Sequence, residues 1–228
     1  MDKPLIILQA RTNSSRLPGK SMLTIVHRPI AVLSAQRLSN ASFPLIVATS
    51  NDPMDDFLVS ELKYYGIQFF RGPLSNPFLR FKLLLEQYRD YDIIVRATAD
   101  NLFPDGGLCE TIYTEFKRSK LRYFQIDGKE SGVPEGVRLE YFYASDFLDI
   151  DISYTNEYEK EHVTPKIIAS FGNYYSHSFE YLKAGNLNST IDNFNDFIRV
   201  SRVFEKVKDP VNIPWYDLVE ILKGLIKI

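Results

Sequence analysis

The chain opens with the stretch LIILQARTNSSRLPGKS, residues 5–21, in which a short apolar run is followed by a polar loop. Four apolar residues in succession, at positions 5–8, indicate a strand that is buried on both faces. The loop carries three cations, Arg11, Arg16 and Lys20, among small polar residues. Open α/β sheets bind ligands beyond the carboxyl ends of their strands. The stretch therefore predicts an α/β fold with a ligand site in its first loop.

Further apolar runs alternate with helical patterns along the chain. In the first half we predict strands at residues 5–8, 45–48, 67–70 and 93–95, and helices at residues 30–38, 54–65, 78–88 and 107–117. This order predicts a three-layer α/β fold, in which helices cover a mostly parallel central sheet. In the second half we predict strands at residues 136–143 and 173–177, and helices at residues 157–170, 194–207 and 215–226.

Length and composition fit a single α/β domain over residues 1–228. The hydrophobic fraction of 45% is ordinary for a globular protein, and 228 residues lie within the usual size of one core. No low-complexity linker interrupts the sequence, although the rhythm of the elements breaks between residues 133 and 182. We interpret that segment as a subdomain for dimerisation or substrate binding.

Charge and hydropathy argue against two classes of partner. A net charge of −2 and a pI near 6.0 give no bulk attraction to nucleic acid or to an anionic membrane. No stretch approaches the roughly 20 apolar residues of a membrane helix. The single cysteine, Cys109, has no disulfide partner in the chain and fits a reducing compartment. We therefore expect a soluble cytoplasmic protein that binds neither nucleic acid nor membrane.

The composition of the first loop suits a triphosphate. Small residues let backbone amides approach phosphate oxygens, and Arg and Lys neutralise the phosphate charge. Gly19-Lys20-Ser21 is similar to the end of a Walker A motif, but that motif requires glycine at position 14, where this sequence has Ser14. Two interpretations stay open at this point, a phosphate-binding loop and a solvated surface loop with scattered charges.

Several ordered blocks between residues 10 and 192 carry a resemblance to a known family. They are Ala10-Arg11, Ser15-Arg16-Leu17-Pro18-Gly19-Lys20, Val47-Ala48-Thr49-Ser50 with Asp55-Asp56, Gly66-Ile67 with Phe70-Arg71-Gly72, Ile94-Val95-Arg96-Ala97-Thr98-Ala99-Asp100, Glu161-His162-Val163-Thr164-Pro165 and Thr190-Ile191-Asp192. Together they resemble the CMP-sugar synthetase-like cytidylyltransferases, and among these the spore-coat polysaccharide biosynthesis branch, or SpsF-type group. The resemblance implies a three-layer, Rossmann-like nucleotide-diphospho-sugar transferase fold.

The resemblance also implies an activity and a nucleotide site. The enzyme would activate a sugar or sugar acid with CTP, giving a CMP-sugar and pyrophosphate for surface polysaccharide or glycan synthesis. Its nucleotide-binding residues would be Ala10, Arg11, Ser15, Arg16, Lys20, Thr49, Arg71 and Asp100. Arg11 and Lys20 would grip the triphosphate and, with Asp100, would be the catalytic residues. Arg71 would help to recognise the pyrimidine base, with a surface ion pair as the alternative role.

Asp100 and Asp192 are the metal ligands that the resemblance implies. Asp100 directly follows an apolar strand. Mg²⁺ favours oxygen ligands, commonly one or two carboxylates together with substrate phosphates, so we expect Mg²⁺ as the cofactor. Capping of a turn or helix is the alternative role for each aspartate.

The resemblance places acceptor binding at Glu135, Arg138, Glu140 and His162. For His162, a position at an interface or a helix start is the alternative. The sequence departs from the family pattern at Ser14, Asn76, Asn101 and Arg138, the last in place of an aspartate. Because an Asp to Arg change reverses charge, Arg138 indicates either recognition of an acidic group on the acceptor or an altered site.

The expected partners are CTP, a sugar or sugar-acid acceptor and a second copy of the chain, since relatives are commonly dimers. Two other functions stay open. One is a catalytically silent nucleotide- or sugar-binding paralogue, which the departures from the family pattern suggest. The other is a nucleotide-sugar-dependent glycosyltransferase, which rests on analogy between folds.

Overall fold

A computed structural model describes residues 2–226 of the chain. Its strands are β1 (Pro4–Gln9), β2 (Thr24–Ile25), β3 (Arg28–Pro29), β4 (Leu45–Ser50), β5 (Phe69–Gly72), β6 (Ile93–Thr98), β7 (Tyr123–Ile126) and β8 (Leu139–Tyr143). Its helices are α1 (Ile30–Leu38), α2 (Asp56–Tyr64), α3 (Pro77–Gln87), α4 (Gly106–Ser119), α5 (Ala144–Leu148), α6 (Glu157–His162), α7 (Pro165–Phe171), α8 (Phe194–Phe204) and α9 (Trp215–Ile226).

Six strands form the central sheet, in the order β5-β4-β1-β6-β8-β7. The first four run parallel to one another, whereas β8 pairs antiparallel with both β6 and β7. β4 and β6 flank β1 on opposite sides, so the strand order reverses at β1. The carboxyl end of β1 is therefore the topological switch point, where open α/β sheets bind their ligands.

Helices cover both faces of the sheet, which confirms the predicted three-layer α/β fold. On one face, α1, α2, α4, α8 and α9 form a core with Ile6 and Leu8 of β1. On the other face, α3, α5 and α7 form a second core with Leu5 and Ile7. Because successive side chains of a strand point to opposite faces, the apolar run of β1 supplies both cores.

The first half of the chain follows the sequence prediction closely. α1 has the predicted bounds, and β4 and β6 extend beyond the predicted strands toward the switch point. β5 begins at Phe69 rather than at residue 67. The cause is the end of α2, where Gly66 has a φ of 67° and the amide of Ile67 still donates to the carbonyl of Leu62 at 2.8 Å.

The second half departs further from the prediction. Residues 173–177 do not form a strand; of these, only Tyr175 forms a bridge, with Gln125 of β7. The helix predicted at residues 157–170 is divided into α6 and α7, because Val163 has a φ of 67° and Pro165 starts a new helix. The segment 133–182 contributes β8 to the central sheet, and its role in dimerisation or acceptor binding stays a prediction.

Candidate functional site

The first loop, residues 10–19, folds back on itself at the carboxyl end of β1. The carbonyl of Thr12 accepts hydrogen bonds from the amides of Ser14, at 3.0 Å, and Gly19, at 2.8 Å. Gly19 has a φ of 73°, a conformation that glycine adopts without strain. This turn brings Lys20, the next residue, back toward the start of the loop.

A buried carboxylate fixes the loop to the neighbouring strand. Asp55 accepts hydrogen bonds from the amide and hydroxyl of Thr12, both at 2.7 Å, and from Thr49 Oγ1 at 3.1 Å and the Ser50 amide at 3.0 Å. Burial alone would raise the pKa of Asp55, but the hydrogen bonds from Ser50 and Thr12 outweigh it and lower the pKa. Asp55 is therefore an anionic anchor between the loop and β4.

Lys20 lies among three oxygen atoms. Its Nζ donates to Asp100 Oδ2 at 2.7 Å, to the Ile191 carbonyl at 3.0 Å and to Asp192 Oδ1 at 3.3 Å. The side chain of Lys20 is only 15% exposed. The two aspartates that the sequence nominated as metal ligands therefore lie together, with a cation between them.

A local pairing of two distant segments brings Asp192 to this place. Asn101 and Thr190 form an antiparallel bridge, and the amide of Ile191 donates to the carbonyl of Asp100 at 3.0 Å. A Cβ atom at Gly136 would lie 2.5 Å from the backbone nitrogen of Thr190, so only glycine permits this approach. The departure from the family pattern at Asn101 is thus part of the support for the site.

The two arginines of the loop also have carboxylate partners. Arg11 donates to Glu161 of α6 at 2.5 Å, and Arg16 donates to Asp192 at 2.8 Å. The side chain of Arg16 is 68% exposed, whereas that of Arg11 is half-buried. Each cation of the loop is therefore paired with a carboxylate from a distant part of the chain.

A cavity of about 300 Å³ lies over the loop. It is lined by Gln9, Ala10, Arg11, Ser14, Ser15, Arg16, Lys20, Ser21, Ile30, Arg96, Thr98, Ala99, Asp100, Glu161 and His162. Six of the eight residues that the sequence assigned to the nucleotide line this first cavity. The other two, Thr49 and Arg71, do not.

A second cavity, of about 460 Å³, adjoins the first. It is lined by Arg16, Arg96, Thr98, Asp100, Asn101, Asp127, Glu135, Gly136, Arg138, Tyr158, His162, Thr164, Pro165, Ile168, Thr190 and Asp192. Five residues line both cavities and so form the wall between them: Arg16, Arg96, Thr98, Asp100 and His162. Three of the predicted acceptor residues, Glu135, Arg138 and His162, are on the second cavity.

The structure places the fourth, Glu140, away from the lining of both cavities, because it is 1% exposed and surrounded by donors. Its carboxylate accepts from Arg96, from Tyr123 Oη at 2.8 Å, from Thr164 Oγ1 at 2.7 Å and from Arg138 at 3.3 Å. Burial would raise the pKa of Glu140, but Arg96 and Arg138 prevail and lower it to about 2. Glu140 therefore holds the two arginines in place.

Thr49 and Arg71 are the other predicted site residues that the structure places elsewhere. Thr49 is fully buried and donates to Asp55. Arg71 donates to the carbonyls of Ser50, at 2.8 Å, and Asp52, at 2.9 Å, and pairs with Asp56 at 2.7 Å. These bonds occupy the guanidinium, so the structure favours the ion-pair interpretation of Arg71.

Sequence reasoning assigned no role to three residues of the site, Arg96, Glu161 and Tyr158. Arg96 is a charged residue inside an otherwise apolar strand, and this was the signal that could have identified it. Glu161 and Tyr158 belong to α6, which has no buried residue and lies over the cavities. The ring of Tyr158 lies 4.4 Å from that of His162, between centroids.

The oxygen set around Lys20 has the chemistry of a hard-cation site. Asp100, Asp192 and the Ile191 carbonyl hold an ammonium group here, and carboxylates with carbonyls are ligands that Mg²⁺ accepts. Among residues 2–226 there is no cluster of three or more His, Cys, Asp or Glu side chains arranged for a metal. A divalent cation here would take its remaining ligands from phosphate and water.

The chain matches a model of the cytidylyltransferase family over residues 5–209. The spore coat polysaccharide biosynthesis protein SpsF of Bacillus subtilis is 26% identical over 232 residues, which cover 97% of this chain and 95% of that protein. No helix within residues 2–226 combines the length and apolar character needed to span a membrane.

Solved structures show the same fold. A cytidylyltransferase from Leptospira borgpetersenii has a TM-score of 0.88 at 23% identity, covering 100% of this chain and 96% of that one. CMP:2-keto-3-deoxy-manno-octonic acid synthetase, solved in complex with CTP, has a TM-score of 0.62 at 14% identity, covering 90% of this chain and 99% of the other. The central sheet and its two helical layers are therefore shared with nucleotidyltransferases.

Proposed function

The chain belongs to the cytidylyltransferase family, and on that premise we propose that it transfers the cytidylyl group of CTP to a hydroxyl of a sugar or sugar acid. Membership makes it a nucleotidyltransferase and confirms the resemblance found in the sequence blocks. The observation that carries the proposal is the convergence of Lys20, Asp100 and Asp192 beside the first loop. The similarity to SpsF supports a role in surface polysaccharide or glycan synthesis.

The first cavity supports binding of the CTP triphosphate. Arg11, Arg16 and Lys20 converge on it, and their present partners are carboxylates. A triphosphate offers these cations the same anionic oxygens in greater number, so we propose that it replaces the carboxylates as their partner. Ala10 and Ser15 line the same cavity, where small side chains let phosphate oxygens approach the backbone.

We propose Mg²⁺ as the cofactor, held by Asp100 and Asp192. When bound, it would neutralise phosphate charge and help to align the reacting groups. The residues of the chain then have separate tasks. Lys20 and Arg11 bind the phosphates that leave, and Asp55 keeps the loop in position.

The second cavity supports binding of the acceptor. Its hydroxyl oxygen would attack the α-phosphorus where the two cavities adjoin, forming the new O–P bond while the bond from the α-phosphorus to the bridging β-phosphate oxygen breaks. The hydroxyl proton leaves to solvent or a neighbouring acceptor, and pyrophosphate departs. Glu135 and His162 offer hydrogen-bonding groups to sugar hydroxyls, and Arg138 offers a cation to an acidic acceptor.

The proposal is tested by incubating the protein with each of the four nucleoside triphosphates, Mg²⁺ and a panel of neutral sugars, sugar phosphates and sugar acids. We expect pyrophosphate release only with CTP and an acceptor, and a CMP-sugar by mass spectrometry. A rate that is higher with acidic than with neutral acceptors would support recognition of an acidic group in the second cavity.

Two results would contradict the proposal. Nucleotide binding without turnover on any acceptor would identify a silent paralogue. Transfer of a sugar from a nucleotide-sugar donor, without pyrophosphate release from CTP, would identify a glycosyltransferase.

We also propose that the protein acts in the cytoplasm as a homodimer. The proposed CTP requirement and the unpaired cysteine, Cys109, support a cytoplasmic setting. Light scattering coupled to size exclusion tests the dimer: a mass of one chain at micromolar concentration would contradict it. Fractionation of the source cells tests the location.

A further inference from the structure

Arg96 holds a position in the site that differs from those of the loop cations. Along β6, the alternate residues Ile94, Arg96 and Thr98 share one face of the sheet. Ile94 belongs to the second core, whereas Arg96 and Thr98 line both cavities. Arg11 and Lys20, in contrast, are among the lining residues of the first cavity alone. Arg96 is therefore a cation in the wall that the two cavities share.

The guanidinium of Arg96 is held rigidly from two sides. One terminal nitrogen donates to Gln9 Oε1 at 3.0 Å, and the other donates to the carboxylate of Glu140. Glu140 is the residue directly opposite on the antiparallel strand β8, so the sheet register sets this pair. Glu140 is held in turn by Tyr123 and Thr164. The side chain of Arg96 is only 8% exposed, and this support leaves it little freedom.

The guanidinium of Arg96 has N–H groups that its two hydrogen bonds do not use. A guanidinium carries five N–H bonds, and the bonds to Gln9 and Glu140 use two of them. Among the described residues, its Nε is buried and has no hydrogen-bond partner. A buried unpartnered donor is costly, so it calls for a ligand or a bound water.

The chemistry proposed above takes place where the two cavities meet. A nucleotide over the loop and an acceptor in the second cavity bring the α-phosphorus and the attacking hydroxyl to their common wall. Of the residues in that wall, Arg16 is a mostly exposed cation and Arg96 a buried one. A charged donor fixed in a site from which water is largely excluded stabilises developing charge without reorganisation.

We propose that Arg96 is a catalytic residue, donating hydrogen bonds to the non-bridging oxygens of the α-phosphate as the hydroxyl attacks, and that Glu140 is its positioning residue. This inference rests on the proposed function, because it requires an α-phosphate in the first cavity. The competing role is a structural one, in which Arg96 and Glu140 form a buried cross-strand ion pair and contact no ligand.

The experiment compares Arg96→Ala and Arg96→Lys with wild type, and with Arg122→Ala as a matched loss of an ion-paired arginine away from both cavities. Turnover with CTP and acceptor is measured with and without added guanidinium ion at millimolar concentration. Calorimetry gives the affinities for cytidine and for cytidine monophosphate. Thermal unfolding reports whether each variant folds.

For Arg96→Ala we expect kcat to fall by about a hundredfold to a thousandfold, as for loss of one donor at a developing oxyanion, with a much smaller change in the KM for CTP. Guanidinium ion should restore part of the rate. Affinity for cytidine monophosphate should fall more than affinity for cytidine. Arg96→Lys should be intermediate, because an ammonium cannot reproduce the fork of donors. Arg122→Ala should retain the wild-type rate.

A kcat close to that of wild type in a folded Arg96→Ala variant would overturn the proposal. It would also be overturned if the variant lost equal affinity for cytidine and for cytidine monophosphate and guanidinium ion restored none of the rate. If wild type binds cytidine monophosphate but releases no pyrophosphate with any acceptor, the proposed function fails instead. The affinity difference between cytidine monophosphate and cytidine then decides whether Arg96 contacts the phosphate. Arg96→Lys supplies the same comparison if Arg96→Ala does not fold, and the positioning variant Glu140→Gln is measured in the same assays.

Discussion

The cations of the first loop and the cations of the sheet are stabilised in different ways. Arg11, Arg16 and Lys20 reach across to carboxylates on separate segments, and Arg16 and Arg11 remain accessible to solvent. Arg96 of β6 and Arg138, which directly precedes β8, share one fully buried carboxylate, Glu140 of β8. The exposed pairs of Arg11 and Arg16 can exchange partners at low cost, whereas the buried pair of Arg96 and Glu140 cannot.

This contrast suggests a division of labour within the site. Ion pairs that are open to solvent contribute little to stability, so a triphosphate can replace the carboxylate partners of Arg11 and Arg16. A buried pair loses far more when one partner is removed, because the other charge is left without compensation. The loop therefore suits substrate capture, and the sheet suits a fixed geometry at the reacting phosphorus.

The largest effect on stability should follow Glu140→Gln. The change leaves Arg96 and Arg138 without their anionic partner, and we expect the free energy of unfolding to fall by about 3–5 kcal/mol. Urea denaturation at pH 7 measures it, with the exposed Glu86→Gln as control. A change below about 1 kcal/mol, within the range of surface pairs, would remove the contrast between loop and sheet.

The pairing of Glu140 with Arg96 and Arg138 also predicts that the free energy of unfolding depends on pH. The folded pKa of Glu140 is lowered to about 2 from an ordinary value of 4.5, so its contribution to stability is complete above pH 4.5. That contribution is lost as the pH falls from 4.5 toward 2, because the unfolded chain then binds the proton first. The stability difference between wild type and Glu140→Gln should therefore narrow over this window.

Asp100→Asn should cause a large loss of activity and leave the fold intact. Asparagine keeps the shape but removes the charge beside Lys20, and with it a ligand of the proposed metal. We expect kcat to fall by at least about a hundredfold, since metal charge stabilisation is worth several kcal/mol. Exposed Asp90→Asn is the control. Wild-type turnover in Asp100→Asn would remove Asp100 from the reaction centre.

The sequence alone predicted the first half of the fold well, for a physical reason. β1, β4 and β6 are buried on both faces, and so they appear as continuous apolar runs between helices whose period is plain. β7 and residues 173–177 are not continuous apolar runs, and so they do not stand out from the sequence around them. Both contain aromatic and polar residues, and the difference between them is a tertiary one, since only β7 has a full partner strand.

The part of the site that lies just beyond the ends of the parallel strands could be predicted from the sequence. Lys20 and Asp100, which the resemblance assigned to one site, lie together because the parallel strands β1 and β6 end at the same edge of the sheet. The pairing of Glu140 with Arg96 was not predictable, because it depends on the antiparallel register of β8, which no local pattern specifies. The role of Glu161 could not be predicted either, because only the tertiary placement of α6 brings Glu161 to Arg11.

Lys20→Ala should weaken CTP binding by about tenfold to a hundredfold, because a hydrogen bond to a charged group is worth about 1.5–3 kcal/mol. Calorimetry with CTP, in the presence and absence of Mg²⁺, measures the loss. Lys20→Arg keeps the charge and should retain more of the affinity. If both variants bind CTP as wild type does, the first loop is not the triphosphate site. The proposal that a triphosphate replaces the carboxylate partners of the loop cations would then be wrong.

The smallest effect should have the opposite sign and come from Glu161→Gln. In wild type a triphosphate must displace this carboxylate from Arg11, so weakening the pair should raise CTP affinity by about two- to fivefold, the value of a partly exposed ion pair. Glu157→Gln is the matched control, since Glu157 lies on the same helix but pairs with Lys160. Calorimetry with CTP at low and high salt distinguishes the effect of Glu161→Gln on CTP affinity from that of Glu157→Gln. A lower affinity in Glu161→Gln alone would mean that Glu161 orients Arg11 for the nucleotide instead of competing with it, and Arg11 would then belong with the fixed cations of the sheet.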